Sequence, residues 1–132
     1  MTQIESKSVK VAAEPAKVYA YLSDLRNFKE LLPQDKISDW RGEENNCSFK
    51  VQGGYKIGLQ WESGVECSEI VLRSTAASPF PFKLNISLEA DGTGTNAQQI
   101  CDADINPFLK MMVEKPLKNL FDYVADRLVK KF

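Results

Sequence analysis

The chain contains no histidine. That removes the commonest general base, the commonest zinc ligand, and every Ser-His or Cys-His arrangement for nucleophilic catalysis. Cysteine is scarce: Cys47, Cys67 and Cys101 are scattered, odd in number, and without CxxC spacing. This pattern argues against a disulfide scaffold. Lacking an activating base, the three thiols read as inert core or strand residues. Charge of one sign is also lacking. A formal net charge of -1 gives none of the basic footprint of a nucleic-acid binder. The opening MTQIESKSVK has no apolar h-region, and no run approaches the roughly 18 apolar residues of a membrane span. The expectation is a soluble cytoplasmic protein in a reducing compartment, with no metal and no cofactor. Oligomeric state is not legible.

What is present is apolar patterning. Hydrophobic residues make up 43% of 132 positions, enough for the core of one domain spanning 1–132. From Asn106 to Phe132, apolar residues recur at helical spacing: Leu109, Met112, Val113, Leu117, Leu120, Val124 and Leu128. Asn106-Pro107 supplies a capping residue and a proline to open this long helix. Its lysines (Lys110, Lys115, Lys118, Lys130, Lys131) alternate with Glu114, Asp122 and Asp126, which reads as a solvated face. Peripheral contact with an acidic membrane surface is the lesser reading.

Most of the rest alternates like antiparallel strands. Ile4 to Ala13 is predicted as a first strand. Glu14-Pro15 starts a helix with Val18, Tyr21, Leu22 and Leu25 on its apolar face. A further short turn is expected from Phe28 to Leu32, stopped by Pro33. Strands follow around Lys36–Arg41, Cys47–Val51, Ile57–Trp61 and Ile70–Leu72, with turns at Glu43–Asn46, Gly53-Gly54 and Gly64. Phe82 to Glu89 has one dry face and one wet face, as in a sheet exposed on one side. Asp91-Gly92-Thr93-Gly94 signals a hairpin, and Thr95 to Ile105 the strand after it. A terminal helix must bury its stripe on this sheet, and a curved sheet would leave a cavity between them.

This order resembles the helix-grip fold of the START-like superfamily, which includes the polyketide cyclases/aromatases and lipid-transfer domains. The resemblance covers essentially the whole chain. It is carried by VKVAAEPAKVYAYLSDLRNFKELLP at Val9 to Pro33, and by DADINPFLKMMVEKPLKNLFDYVADRL at Asp102 to Leu128. Small stand-alone bacterial proteins of the polyketide cyclase/dehydrase and lipid-transport type are the most similar in character. The implied fold is α+β: a curved antiparallel sheet of about six to seven strands wrapped around the long helix, with two short helices after strand one.

The inward strand phases nominate Phe49, Leu59, Trp61, Leu72, Phe82, Leu84 and Ile86 as ligand contacts. The helix nominates Phe108, Met112, Pro116 and Leu120. Tyr55 and Gln99 add polar atoms that could orient a ligand. For the apolar residues plain core is the leading reading, and for Tyr55, Trp61 and Gln99 it is local hydrogen bonding to backbone. Pro116 removes one helical hydrogen bond and predicts a kink. Of the acid-base candidates Glu62, Glu66, Glu69, Asp102 and Asp104, Glu62 falls out of phase with Trp61, and Asp102 and Asp104 with Cys101 and Ala103; solvent exposure is the leading reading, and no catalytic residue is assigned. The resemblance implies non-covalent binding or transport of a small hydrophobic ligand: a lipid, quinone, isoprenoid or polyketide-like compound. The rival readings are a cyclase/dehydratase-like enzyme, and an accessory module that delivers a cofactor or docks to an oxidoreductase or membrane.

Overall fold

The computed structural model describes residues 2–51 and 55–132. The expected turn at Gly53-Gly54 lies outside the described residues. Eight antiparallel strands form one curved sheet: β1 (Thr2–Glu5), β2 (Val9–Val11), β3 (Ile37–Glu43), β4 (Asn46–Val51), β5 (Tyr55–Val65), β6 (Glu69–Ser74), β7 (Phe82–Asp91) and β8 (Gly94–Ala103). The order across the sheet is β1-β8-β7-β6-β5-β4-β3, with β2 also paired to β8. Helices α1 (Pro15–Leu22) and α2 (Phe28–Leu31) follow β2, joined by a short 3-10 turn at Leu25–Asn27. Helix α3 runs from Pro107 to Lys131.

The expected first strand is in fact two. Between Glu5↔Ile100 and Val9↔Ala97, four steps on the N-terminal chain face three on β8. That is the count of a β-bulge. Ser6 anchors it: its Oγ accepts from the Gln99 N–H at 2.9 Å, and its own N–H donates to the Gln99 carbonyl at 2.8 Å. The backbone of Lys7 is thereby turned toward α3, where its N–H donates to the Asp122 carboxylate at 2.8 Å. A simple alternation reading misses this because the bulge flips the strand's phase.

The β7–β8 hairpin closes as expected on Gly92, which sits at φ +62° in a two-residue turn. Gly64 is a correction. It lies inside β5, and the turn comes later, at Cys67, which takes φ +64°. A Cβ on Gly64 would stand 2.6 Å from the Tyr19 hydroxyl and 2.8 Å from the Trp61 ring. Glycine is needed there for close approach of side chains, not for a turn.

The antiparallel order gathers the starts of β3, β5 and β7 and the ends of β4, β6 and β8 at one end of the sheet. Helix α3 enters from that end. The other end is covered by α1 and the 3-10 turn, where the Leu25 N–H donates to the Glu44 carbonyl at 2.8 Å. Helix α3 lies along the concave face and buries Val113, Leu117, Leu120, Phe121, Val124, Ala125 and Leu128. Asn106 caps it, its side chain accepting from the Leu109 N–H at 2.8 Å. Pro116 does not break it, because its turn faces solvent and the Met112 carbonyl that loses a donor can meet water.

Candidate functional site: an apolar space under the long helix

The dry phases of β4, β5 and β7 bring Phe49, Ile57, Leu59, Phe82 and Leu84 to the concave face, and β8 adds Gln99 and Cys101. Across from them α3 contributes Leu117, Leu120, Phe121 and Val124, while Phe28 and Leu32 close the side. These groups enclose a cavity of about 20 Å³. That holds little more than one water molecule, and its walls give a water almost nothing to bond to. A second void of about 10 Å³ lies beside it, with Ile86 and Leu128 in its lining. Phe28, Gln99 and Val124 are shared by the walls of the two voids under α3.

Gln99 is the polar exception. It is buried, and its Nε2 donates to the Phe121 carbonyl at 3.0 Å, a direct tie from sheet to helix. Cys101 and Cys47 are also buried, and burial pushes each thiol up to about 12. Neither is a nucleophile near neutral pH. Glu62 pairs with Lys83 at 3.3 Å, Glu69 accepts from Asn85 at 3.2 Å, and Asp102 accepts from Gln3 at 3.1 Å. Glu66 and Asp104 are exposed. None of the five carboxylates lines the cavity. Among the described residues no group of three or more His, Cys, Asp or Glu stands close enough to hold a metal ion.

Of the residues nominated from sequence, Phe49, Leu59, Phe82, Leu84, Gln99 and Leu120 meet at the cavity. Ile86 lines the second void, and Leu72 is wholly buried in the same inner phase but borders neither. Trp61 stands apart. A bulge between Trp61 and Ser63 comes where the ring turns onto Tyr19 of α1, edge to face, with centroids 6.3 Å apart. Tyr55 packs against the core at the α3-entry end, one inward position beyond Ile57. Phe108, Met112 and Pro116 do not join the cavity. They lie on the outer face of α3, with Phe108 71% and Met112 58% exposed. Their positions fall off the helix face that carries the buried Val113, Leu117, Leu120 and Val124.

Sequence reading passed over Phe28, Leu32, Ile57, Cys101, Phe121 and Val124 as site residues. Phe121 had a signal: it follows Leu117 by four and precedes Leu128 by seven, the spacing of one helix face.

Helix α3 is fastened unevenly. From Lys118 onward it is tied by Lys118 Nζ to the Glu5 carbonyl (3.1 Å), by Asp126 to Lys7 (2.6 Å), and by Lys131 to Glu30 (3.1 Å). Phe132 then packs edge-on against Tyr21, with ring centroids 5.4 Å apart. From Pro107 to Pro116 only Val113 is buried. The one polar side-chain interaction of that stretch beyond the Asn106 cap is the Lys110–Glu114 pair within the helix, among the described residues. No helix among the described residues is long and apolar enough to cross a membrane.

The family model for polyketide cyclase / dehydrase and lipid transport matches residues 2–132. No curated protein sequence matches the chain. Among solved structures, a START superfamily protein from Mycobacterium smegmatis superposes with a TM-score of 0.73 at 15% identity, over 98% of this chain and 95% of its own. The protein XoxI from Bacillus cereus gives a TM-score of 0.76 at 11% identity, over 100% of this chain and 96% of its own. At such identities these likenesses speak for the fold. With the family match spanning the curved sheet, the short helices and the long helix alike, the chain belongs to the polyketide cyclase/dehydrase and lipid-transport family and has the START-like helix-grip fold.

Proposed function

We propose that this protein binds a small, largely apolar molecule between the concave sheet face and α3, in the space that Leu84, Leu120 and their neighbours now nearly fill. The observation that supports this most is the mismatch between lining and anchoring. The apolar walls converge beneath α3, yet its Pro107–Pro116 stretch is buried only at Val113. A ligand pocket needs roughly 300 Å³ or more, against the 20 Å³ present. Outward movement of the Pro107–Pro116 stretch would lengthen the space at its α3-entry end, past Leu117, while Leu120, Phe121 and Val124 of the tied half keep forming its roof. Burial of the ligand then supplies roughly 25 cal/mol per Å² of apolar surface removed from water. The lining holds no carboxylate, lysine or arginine to move a proton or fix a charge, which favours carriage over catalysis.

Titration with N-phenyl-1-naphthylamine, whose fluorescence rises in apolar surroundings, tests this. Saturable one-site binding is expected, together with slowed hydrogen exchange at amides 108–118. Leu84→Trp, which fills the space, should weaken it. Equal binding by wild type and a folded Leu84→Trp variant would place the probe elsewhere and end the proposal.

A further inference from the structure

The Tyr55 hydroxyl is the one buried side-chain polar atom without a hydrogen-bond partner among the described residues. Native proteins satisfy the large majority of such groups, and an orphaned one costs about 1–3 kcal/mol. Its place in the fold bears on what could satisfy it. Tyr55 opens β5 and shares the inner phase with Ile57 and Leu59, both of which line the cavity. Two residues along a strand span roughly 7 Å, so the ring stands just past the cavity's end. That end is the one where α3 enters, on the side of its loosely held half. Burial raises the phenol's pKa, so near neutrality it keeps its proton and can donate.

We propose that the Tyr55 hydroxyl is the polar recognition point of the pocket, donating a hydrogen bond to a neutral oxygen at the trailing end of an elongated apolar ligand. This rests on the binding reading above and narrows the ligand class. A carbonyl or ether oxygen fits. A carboxylate or phosphate head does not, because no lysine or arginine lines the space and an uncompensated charge in apolar surroundings is costly. The body of the molecule would run from Tyr55 past Ile57 and Leu59 toward Leu120. Pairing the hydroxyl would add specificity: a site built around a polar group discriminates against ligands that leave that group unpaired.

The test uses two probes of similar size on the full chain. Prodan carries a ketone oxygen; N-phenyl-1-naphthylamine carries no oxygen. Tyr55→Phe removes the hydroxyl and nothing else. The expected result is that Tyr55→Phe weakens prodan by roughly fivefold or more while naphthylamine affinity stays within about twofold, and that thermal stability of the free protein is unchanged or raised. Equal affinity of wild type and variant for prodan overturns the proposal. So does equal weakening of both probes, which would make the tyrosine a wall and not a donor. A lowered melting temperature would show that the hydroxyl already has a partner, and would also overturn it. If wild type binds neither probe, the binding reading fails first and this proposal falls with it. Binding of naphthylamine without a prodan effect rejects the hydroxyl's role alone.

Discussion

The Gln99 carboxamide donates to the Phe121 carbonyl at 3.0 Å, spanning from the sheet to the helix between two small voids. A helical carbonyl normally has its own N–H partner four residues on, so this acceptor uses its second lone pair. The bond therefore adds a tie without being required for the helix. Gln99 belongs to β8, whose backbone also holds the Ser6 bulge, so strand, bulge and helix meet at one residue.

Replacing Gln99 with leucine should cost about 1 kcal/mol or less in urea unfolding, since the Phe121 carbonyl keeps its helical partner. Release of N-phenyl-1-naphthylamine should become faster, because the carboxamide no longer links the sheet to α3. Stopped-flow release measured on both proteins decides the point. An unchanged rate would make Gln99 a core polar residue with no part in gating.

Leu120→Ala removes three side-chain carbons at a buried site that shares the cavity with Leu84 and Phe49. A loss of about 2–4 kcal/mol is expected. The enlarged apolar space should stay dry and take up benzene or xenon, visible as a rise in melting temperature under saturating gas or solute. Failure of any small apolar solute to raise it would mean that the site collapses.

Alkaline stability should depend on Cys47 and Cys101. Burial raises both thiols from the usual 9.0 to about 12, with the neighbouring Asp102 adding to the effect at Cys101. A raised folded-state value means that the folded protein keeps its proton while the unfolded chain loses it. The contribution is fully present below about pH 9 and is lost as pH rises from 9 toward 12. By pH 10 this should remove about 1 kcal/mol per thiol. Comparing urea midpoints at pH 7.5 and pH 10 for wild type and Cys47→Ala/Cys101→Ala isolates the thiols from the tyrosines. The double variant should show the smaller fall. Cys67, half-exposed, should be the thiol that reacts first with a colorimetric disulfide reagent in the folded state.

Pro116→Ala restores a helical N–H on the exposed side of α3, at the junction between its loose and fastened halves. Stability should rise or hold within about 1 kcal/mol. If the proline softens the junction, probe release should slow in the variant. Identical release rates would assign Pro116 to helix shape alone.

Local rules carry far in this chain. Asn106-Pro107 marks the start of α3, Glu14-Pro15 the start of α1, and Gly92 the hairpin, because caps, proline and positive φ act within a few residues. The alternation from Phe82 to Leu88 gives the inner face of β7 because a strand's side chains must take opposite sides. The order of these elements was enough to indicate the helix-grip fold. The tertiary structure decided what the pattern left open. Phe108 and Met112 are apolar and read from sequence as part of the stripe, yet they lie on the outer face of α3, away from the buried Val113, Leu117 and Leu120. Trp61 shares a phase with Leu59, yet it turns to Tyr19 beside a bulge that no periodicity announces, and Gly64 serves that contact. Cavity volume was beyond sequence altogether. It is the small difference between the space the sheet and α3 enclose and the volume of the side chains that fill it, and that difference depends on contacts between residues far apart in the chain.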